Sequence, residues 1–157
     1  MKIYKSISEF LHIRDNLAGL TFVPTMGNLH QGHISLIDLA KHYENEIISS
    51  IFINELQFND TNDYEKYPKS LECDIELLEK NGCDHLLIPD ESILDGIELI
   101  KASSKSKKLC GKNRPGHFDG VLTILNKFFK IINPKISIFG KKDYQQFLLV
   151  KEFVLKN

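Results

Sequence analysis

Leu20-Thr21-Phe22-Val23-Pro24-Thr25-Met26-Gly27-Asn28-Leu29-His30-Gln31-Gly32-His33 decides the fold. Leu20 to Pro24 reads as a short buried strand. A helix follows at about His33 to Tyr43, where Leu36, Leu39, Ala40 and Tyr43 recur at helical spacing. Between them, Gly27 and Gly32 allow close backbone approach, and the new helix offers unpaired N–H groups and a positive dipole end, a combination that suits a phosphate. His30 and His33 lie three apart at that helix start, so both rings can face one ligand. The dipole disfavours added positive charge, which points to neutral imidazoles acting as N–H donors. As an isolated H-x-x-H the pair reads more simply as loop and helix-cap residues. Metal binding lacks the intervening Glu and the interval of H-E-x-x-H.

Outward from this stretch, the chain alternates between two periodicities. Ser6 to Leu17 reads as an amphipathic helix, and Glu46 to Asn54 carries the near-continuous apolar run of a strand covered on both faces. Pro68 to Asn81 reads as a helix with proline in its first turn and Asn81-Gly82 as its stop. His85 to Pro89 is a third strand. Asp119 to Ile132 is a helix apolar nearly all round, ending at Asn133-Pro134 and therefore deeply buried. Ile136 to Phe139 is a fourth strand, and a last helix starts near Tyr144. This order, with short connections, implies an α/β domain: a Rossmann-like parallel sheet with helices on both faces and ligands at the carboxyl ends of its strands.

Composition narrows the class further. The 157 residues are 42% hydrophobic and 26% charged, ordinary for one globular domain. A formal net charge of −1 gives no overall field for nucleic acid or anionic lipid. The N-terminus has no signal-peptide run and no stretch is long enough to span a membrane, so a soluble cytoplasmic protein is expected. Cys73, Cys83 and Cys110 show neither pairing nor zinc spacing and are expected to be reduced. Lys101, Lys105, Lys107, Lys108, Lys112 and Arg114 form a positive run without interleaved aromatics, which favours a solvated, mobile loop over a nucleic-acid surface.

H-x-G-H after a first strand resembles the signature of the adenylyl-transferring superfamily that includes class I aminoacyl-tRNA synthetases and small nucleotidylyltransferases. Four segments narrow the match: Pro24 to His33, Phe52-Ile53-Asn54-Glu55-Leu56-Gln57-Phe58, Arg114-Pro115-Gly116-His117-Phe118-Asp119-Gly120-Val121, and Phe139-Gly140-Lys141-Lys142-Asp143-Tyr144-Gln145-Gln146. In order and spacing they resemble the pantothenate synthetase (pantoate–beta-alanine ligase) family.

That resemblance implies ATP-dependent ligation of pantoate to beta-alanine through a pantoyl adenylate. It implies ATP contacts from Thr25, Met26, Gly27, His30, His33, Gly140, Lys142 and Asp143, with His30, His33 and Lys142 as the catalytic donors. Pantoate would be held by Asn54, Gln57, Arg114 and Gln146. Magnesium would accompany the nucleotide with no protein metal site, and a homodimer is implied, with no nucleic-acid or membrane partner. The residue chemistry agrees: an ionised carboxylate attacking phosphorus needs donors rather than a general base, and neutral glutamines suit a hydroxy acid.

Several readings stay open. Asp143-Tyr144-Gln145-Gln146 also fits a capping box, and taken alone Gln146 reads as the cap partner. His117 is undecided between site and core. Glu55 stands where the family carries proline, Lys141 where it carries glutamate, and Cys110 where its L-E-G segment has glutamate. Another H-x-G-H nucleotidylyltransferase and a non-catalytic nucleotide-binding fragment are the competing functions. The family continues into a further strand, a Ser-Ser-Arg loop and a closing C-terminal domain. Residues 1–157 are accordingly expected to be its N-terminal ATP- and pantoate-binding domain, truncated, and inactive or weakly active alone.

Overall fold

The computed structural model describes all residues, Met1–Asn157. Five parallel strands, β1 (Lys2–Tyr4), β2 (Leu20–Thr25), β3 (Glu46–Ile51), β4 (His85–Leu87) and β5 (Ile136–Ser137), form one sheet in the order β1-β4-β3-β2-β5. Its centre is the six-residue ladder from Leu20↔Glu46 to Thr25↔Ile51. Side-chain alternation explains why β2 and β3 read as unbroken apolar runs. Phe22 and Ile48 face one layer with Phe52, whereas Val23, Ile47 and Ile51 face the other.

Helices cover both faces, as expected. Phe10 of α1 (Ile7–Arg14) and Ile124, Phe128, Ile131 and Ile132 of α5 (His117–Ile132) pack on the Phe22 face. Ile37 and Ala40 of α2 (Gln31–Ala40) and Leu78 of α4 (Leu71–Lys80) pack on the other. The long α5 is buried through most of its circumference because α6 (Tyr144–Lys156) covers its outer side, with Val150 against Val121, Leu122 and Leu125. Asn133, at φ 51°, ends α5 with a left-handed cap. A short helix, α3 (Thr61–Glu65), lies between β3 and α4.

Several sequence expectations are corrected. β1 carries a single large buried side chain, Tyr4, too little for a period-two signal, yet it is held by Tyr4 Oη to His85 Nδ1 at 3.1 Å and by the edge-on ring of Phe10. The buried stripe of α2 is Ile34, Ile37 and Ala40; Leu39 and Tyr43 are exposed, and the helix starts at Gln31. Ser70, not Pro68, precedes the first turn of α4. β3, β4 and β5 stop at Ile51, Leu87 and Ser137, short of the apolar runs, although the N–H groups of the next residues, Phe52, Ile88 and Ile138, still donate to the carbonyls of Thr25, Tyr4 and Phe22.

The lysine-rich run is organised rather than loose. It forms two 3-10 turns, Ser104–Lys107 and Leu109–Asn113. Gln145 Nε2 donates to the carbonyls of Lys105 and Lys108 at 3.0 and 2.6 Å, and Lys105 pairs with Glu152 at 3.0 Å. Lys156 and then Lys105 hold the Glu152 carboxyl down at about 2. All three cysteines are free, and burial pushes the Cys83 thiol up to about 12. No helix is long and apolar enough to cross a membrane.

Candidate active site

The sheet order places β2 between β3 and β5, so chain direction across the sheet reverses at the carboxyl end of β2, where ligands of such folds bind. Thr25 closes that strand: its Oγ1 donates to the Ser50 carbonyl at 2.6 Å and accepts the Gly27 N–H at 3.3 Å. Gly27, at φ 82°, turns the chain, and a Cβ there would stand 3.0 Å from Asp74 Oδ2. Asp74, buried in the first turn of α4, accepts the N–H groups of Asn28 and Leu29, both at 2.8 Å, and the Ser70 hydroxyl at 3.1 Å. The glycine turn is thus pinned from below by one carboxylate, a charge-assisted arrangement.

At the start of α2 the two histidines cap the helix reciprocally. His30 Nδ1 accepts the Gly32 N–H at 3.0 Å, and His33 Nδ1 accepts the His30 N–H at 3.3 Å. An Nδ1 that accepts is unprotonated, so the neutral ring carries its proton on Nε2. The capping reading and the donor reading are therefore the same geometry: backbone N–H groups fix the tautomer that makes each ring a donor. The ring centroids are 4.3 Å apart. Gly32 is needed here because a Cβ would come within 2.8 Å of His30 Cε1. The His33 pKa is lowered, first by burial and then by His30, with Lys142 contributing and Asp74 opposing.

Below this rim lies a pocket of about 200 Å³ whose walls include Thr25, Met26, His33, Ser50, Asn54, Gln57, Tyr67, Asp143 and Gln146 above apolar side chains of α5. Gln57 ends a 3-10 turn, Glu55–Gln57, that is tied to α5 by two hydrogen bonds and braced from within by a third. His117 Nδ1 donates to the Gln57 carbonyl at 2.7 Å, and Asn54 Nδ2 donates to the Gly120 carbonyl and to Gln57 Oε1, each at 3.1 Å. Gly120 allows the approach, since any Cβ would run into the Leu56 carbonyl. Gln57 Nε2 in turn reaches Met26 Sδ at 2.8 Å. Burial lowers the His117 pKa, so this ring is a neutral strut under Gln57.

Gln146 lines the pocket, and Asp143 makes no side-chain cap bond to α6. The capping-box alternative is removed. Lys142, on the turn Lys141–Asp143, is exposed and close enough for its charge to depress His33. His30, Gly27, Gly140 and Lys142 lie outside the pocket wall proper, and so does Arg114, which is exposed with its charge reaching His117. Glu55, Lys141 and Cys110 are exposed and outside the wall.

Asp74, Gly120, Ser50 and Tyr67 escaped the sequence reading. An acid in a helix's first turn and a glycine in an apolar helix have commonplace explanations, and their loop partners are 46 and 64 residues away for Asn28 and Leu56. A larger concavity, about 1130 Å³, runs along β5 and the outer faces of α5 and α6. Its lining includes neither His30 nor His33, and none of Asn54, Gln57 and Gln146, so its size does not make it the candidate site.

A family model described as Pantoate-beta-alanine ligase matches residues 2–157. Pantothenate synthetase of Thiobacillus denitrificans is 45% identical over 158 residues, covering 98% of this chain and 56% of that protein. The Legionella pneumophila protein of the same name is 43% identical, covering 98% and 64%. The solved pantoate-beta-alanine ligase of Francisella tularensis, complexed with beta-gamma ATP and beta-alanine, matches at TM-score 0.95 and 44% identity over 99% of this chain and 62% of that one. Pantothenate synthetase from Thermus thermophilus matches at TM-score 0.91 and 37% identity, over 99% and 58%. The chain therefore spans less than two thirds of the length of each of these relatives.

Proposed function

The chain belongs to the pantoate-beta-alanine ligase family, and from that membership we propose that it is the N-terminal ATP- and pantoate-binding domain of an enzyme that forms pantothenate through pantoyl adenylate. The observation that carries this reading is the pair of fixed Nε2–H donors on His30 and His33 above a pocket lined by the amides of Asn54, Gln57 and Gln146. A pocket of about 200 Å³ suits a small acid, below the roughly 300–1,000 Å³ of sites for larger ligands. ATP lies along the open rim, over Thr25, Met26, Gly27, Gly140 and Asp143.

The pantoate carboxylate, held with its hydroxyls toward Asn54, Gln57 and Gln146, attacks the α-phosphorus. A new P–O bond forms, and the bond to the bridging oxygen breaks with its electron pair leaving on pyrophosphate. His30, His33 and Lys142 offset the charge that grows on the phosphate oxygens, which preorganised donors do best in a water-poor site. The amine of beta-alanine then attacks the acyl carbon and AMP leaves. Arg114, outside the wall, serves as a rim cation for the acid.

No cluster of three or more His, Cys, Asp or Glu side chains is arranged to hold a metal. Magnesium enters with the nucleotide phosphates, and no step here depends on a protein metal site. A cytoplasmic homodimer completes the proposal. Calorimetric titration of the chain with ATP, with pantoate and with both tests the binding half: saturable binding of each is expected, and a chain that binds neither sinks the reading.

A further inference from the structure

The segment from Ile100 to Arg114 is tied to α5 where it begins: the N–H groups of Ile100 and Ala102 donate to Thr123 Oγ1 and Asp119 Oδ1, each at 2.9 Å. It then lies along α6. Glu152 accepts from Ser103 and Lys105 at 3.2 and 3.0 Å. Gln145, seven residues earlier and so on the same helix face, holds the stretch that follows. Its Nε2 donates to the carbonyls of Lys105 and Lys108. Its Oε1 shares the Gly111 N–H with the Lys108 carbonyl, at 3.4 and 3.1 Å. A side-chain amide, with two N–H donors and an acceptor oxygen, is the group that can make all three bonds at once.

Those bonds bracket a costly turn. Leu109, at φ 49°, lies in the left-handed region that a bulky side chain ordinarily avoids, and such backbone persists only where its surroundings fix it. Gly111 follows where no side chain fits, since a Cβ would run into the Ser106 carbonyl. From there the connection to the site is direct. The Gly111 carbonyl accepts the Arg114 N–H at 3.3 Å, and the Arg114 carbonyl accepts the His117 N–H at 3.2 Å. His117 is the strut under Gln57, and the charge of Arg114 reaches it. Gln146, the next residue of α6, lines the pocket.

We propose that Gln145 is a positioning residue: by holding the turn at Leu109 against the first turn of α6, it sets Arg114 at the rim of the pocket. Of the two neighbouring glutamines, Gln146 faces the pocket and Gln145 places the cation beside it; this rests on the reading of Arg114 as a rim cation given above. Without Gln145 the left-handed turn loses the side chain that ties both its flanks to α6. It then relaxes toward ordinary backbone, and Arg114 moves with it.

The test follows the imidazole signal of His117 against pH in the isotope-labelled chain and in its Gln145→Leu, Arg114→Ala and doubly substituted variants. Leucine keeps the bulk of glutamine without its bonds. The His117 pKa is lowered first by burial, against the bond to the Gln57 carbonyl, with Arg114 adding to the lowering and Asp143 opposing it. Gln145→Leu should therefore raise it, as Arg114→Ala does, and should add nothing once Arg114 is gone. Pantoate, titrated by amide shifts, should bind Gln145→Leu roughly two- to five-fold more weakly, the span of a lost exposed ion pair. It should bind Arg114→Ala equally with or without the glutamine. An unmoved His117 in Gln145→Leu, or a second shift of the same size in the Arg114→Ala background, would overturn the inference. If the unaltered chain binds no pantoate, the acid-binding reading falls, while the His117 comparison still decides what Gln145 does.

Discussion

His33 Nδ1 receives the backbone N–H of His30 at 3.3 Å, and the two rings stand 4.3 Å apart with Nε2 left to each as donor. One short segment therefore caps its helix and sets the protonation pattern of its two imidazoles. Cap and donor can be separated by choice of replacement.

His30→Ala should lose both roles. We expect roughly 10²–10³-fold slower adenylation and a stability loss of about 0.5–2 kcal/mol from the missing cap. His30→Ser restores an oxygen cap but no ring donor, so its melting temperature should recover while turnover stays low. Recovery of turnover by serine would show that the ring matters only as a cap.

Acid should destabilise the domain through His33 and His117. Both pKa values are lowered from 6.5, chiefly by burial, so the unfolded chain takes up protons before the folded one does. The stability held by the neutral rings is complete above 6.5 and is lost as pH falls through the lowered folded values. Urea midpoints measured from about pH 8 down to about pH 5 should fall less steeply for the double variant His33→Asn, His117→Asn than for the parent. Parallel slopes would contradict this.

Asp74→Ala removes the acceptor of two backbone N–H groups and one hydroxyl at the glycine turn. A loss of about 1–3 kcal/mol is expected for each buried group left unpaired, with partial recovery by solvent. Amide exchange at Asn28 and Leu29 should accelerate more than exchange in β3. Unchanged protection at those two amides would show that the turn is held by other means.

Gly120→Ala pushes a methyl into the Leu56 carbonyl and should displace the 54–57 turn from α5. Overpacking of this kind destabilises by about 1–3 kcal/mol. Because Gln57 and Asn54 move with that turn, affinity for the acid should fall while affinity for ATP holds. Equal loss of both would mean a global effect.

Gln146→Ala distinguishes the two meanings that its position carries in the sequence. With no capping bond at Asp143, stability should be unchanged and acid affinity should drop. A lowered melting temperature with unaltered acid affinity would reinstate the cap.

The parallel sheet, the buried α5 and the glycine turn before α2 were legible because each rests on local pattern: period, glycine spacing and polar residues at a helix start. β1 was not, since its stability comes from Tyr4 meeting His85, 81 residues away. Helix and strand ends shifted, as at Ser70 and Ile51, because hydropathy alone does not mark where regular backbone geometry begins or stops. In the site, His30, His33, Gln57 and Gln146 carry motif spacing. Asp74 and Ser50 carry none, because Asp74 holds loop amides 45 and 46 residues away and Ser50 reaches the pocket wall only through the packing of β3.

The central claim is that this groove activates pantoate on ATP, and exchange of radiolabelled pyrophosphate into ATP measures that step alone. Protein carrying this chain at the relatives' full length should exchange only when pantoate is present, without beta-alanine, and His33→Ala should reduce the rate roughly 10²–10³-fold. Exchange that ignores pantoate, or that survives intact in His33→Ala, would contradict the account.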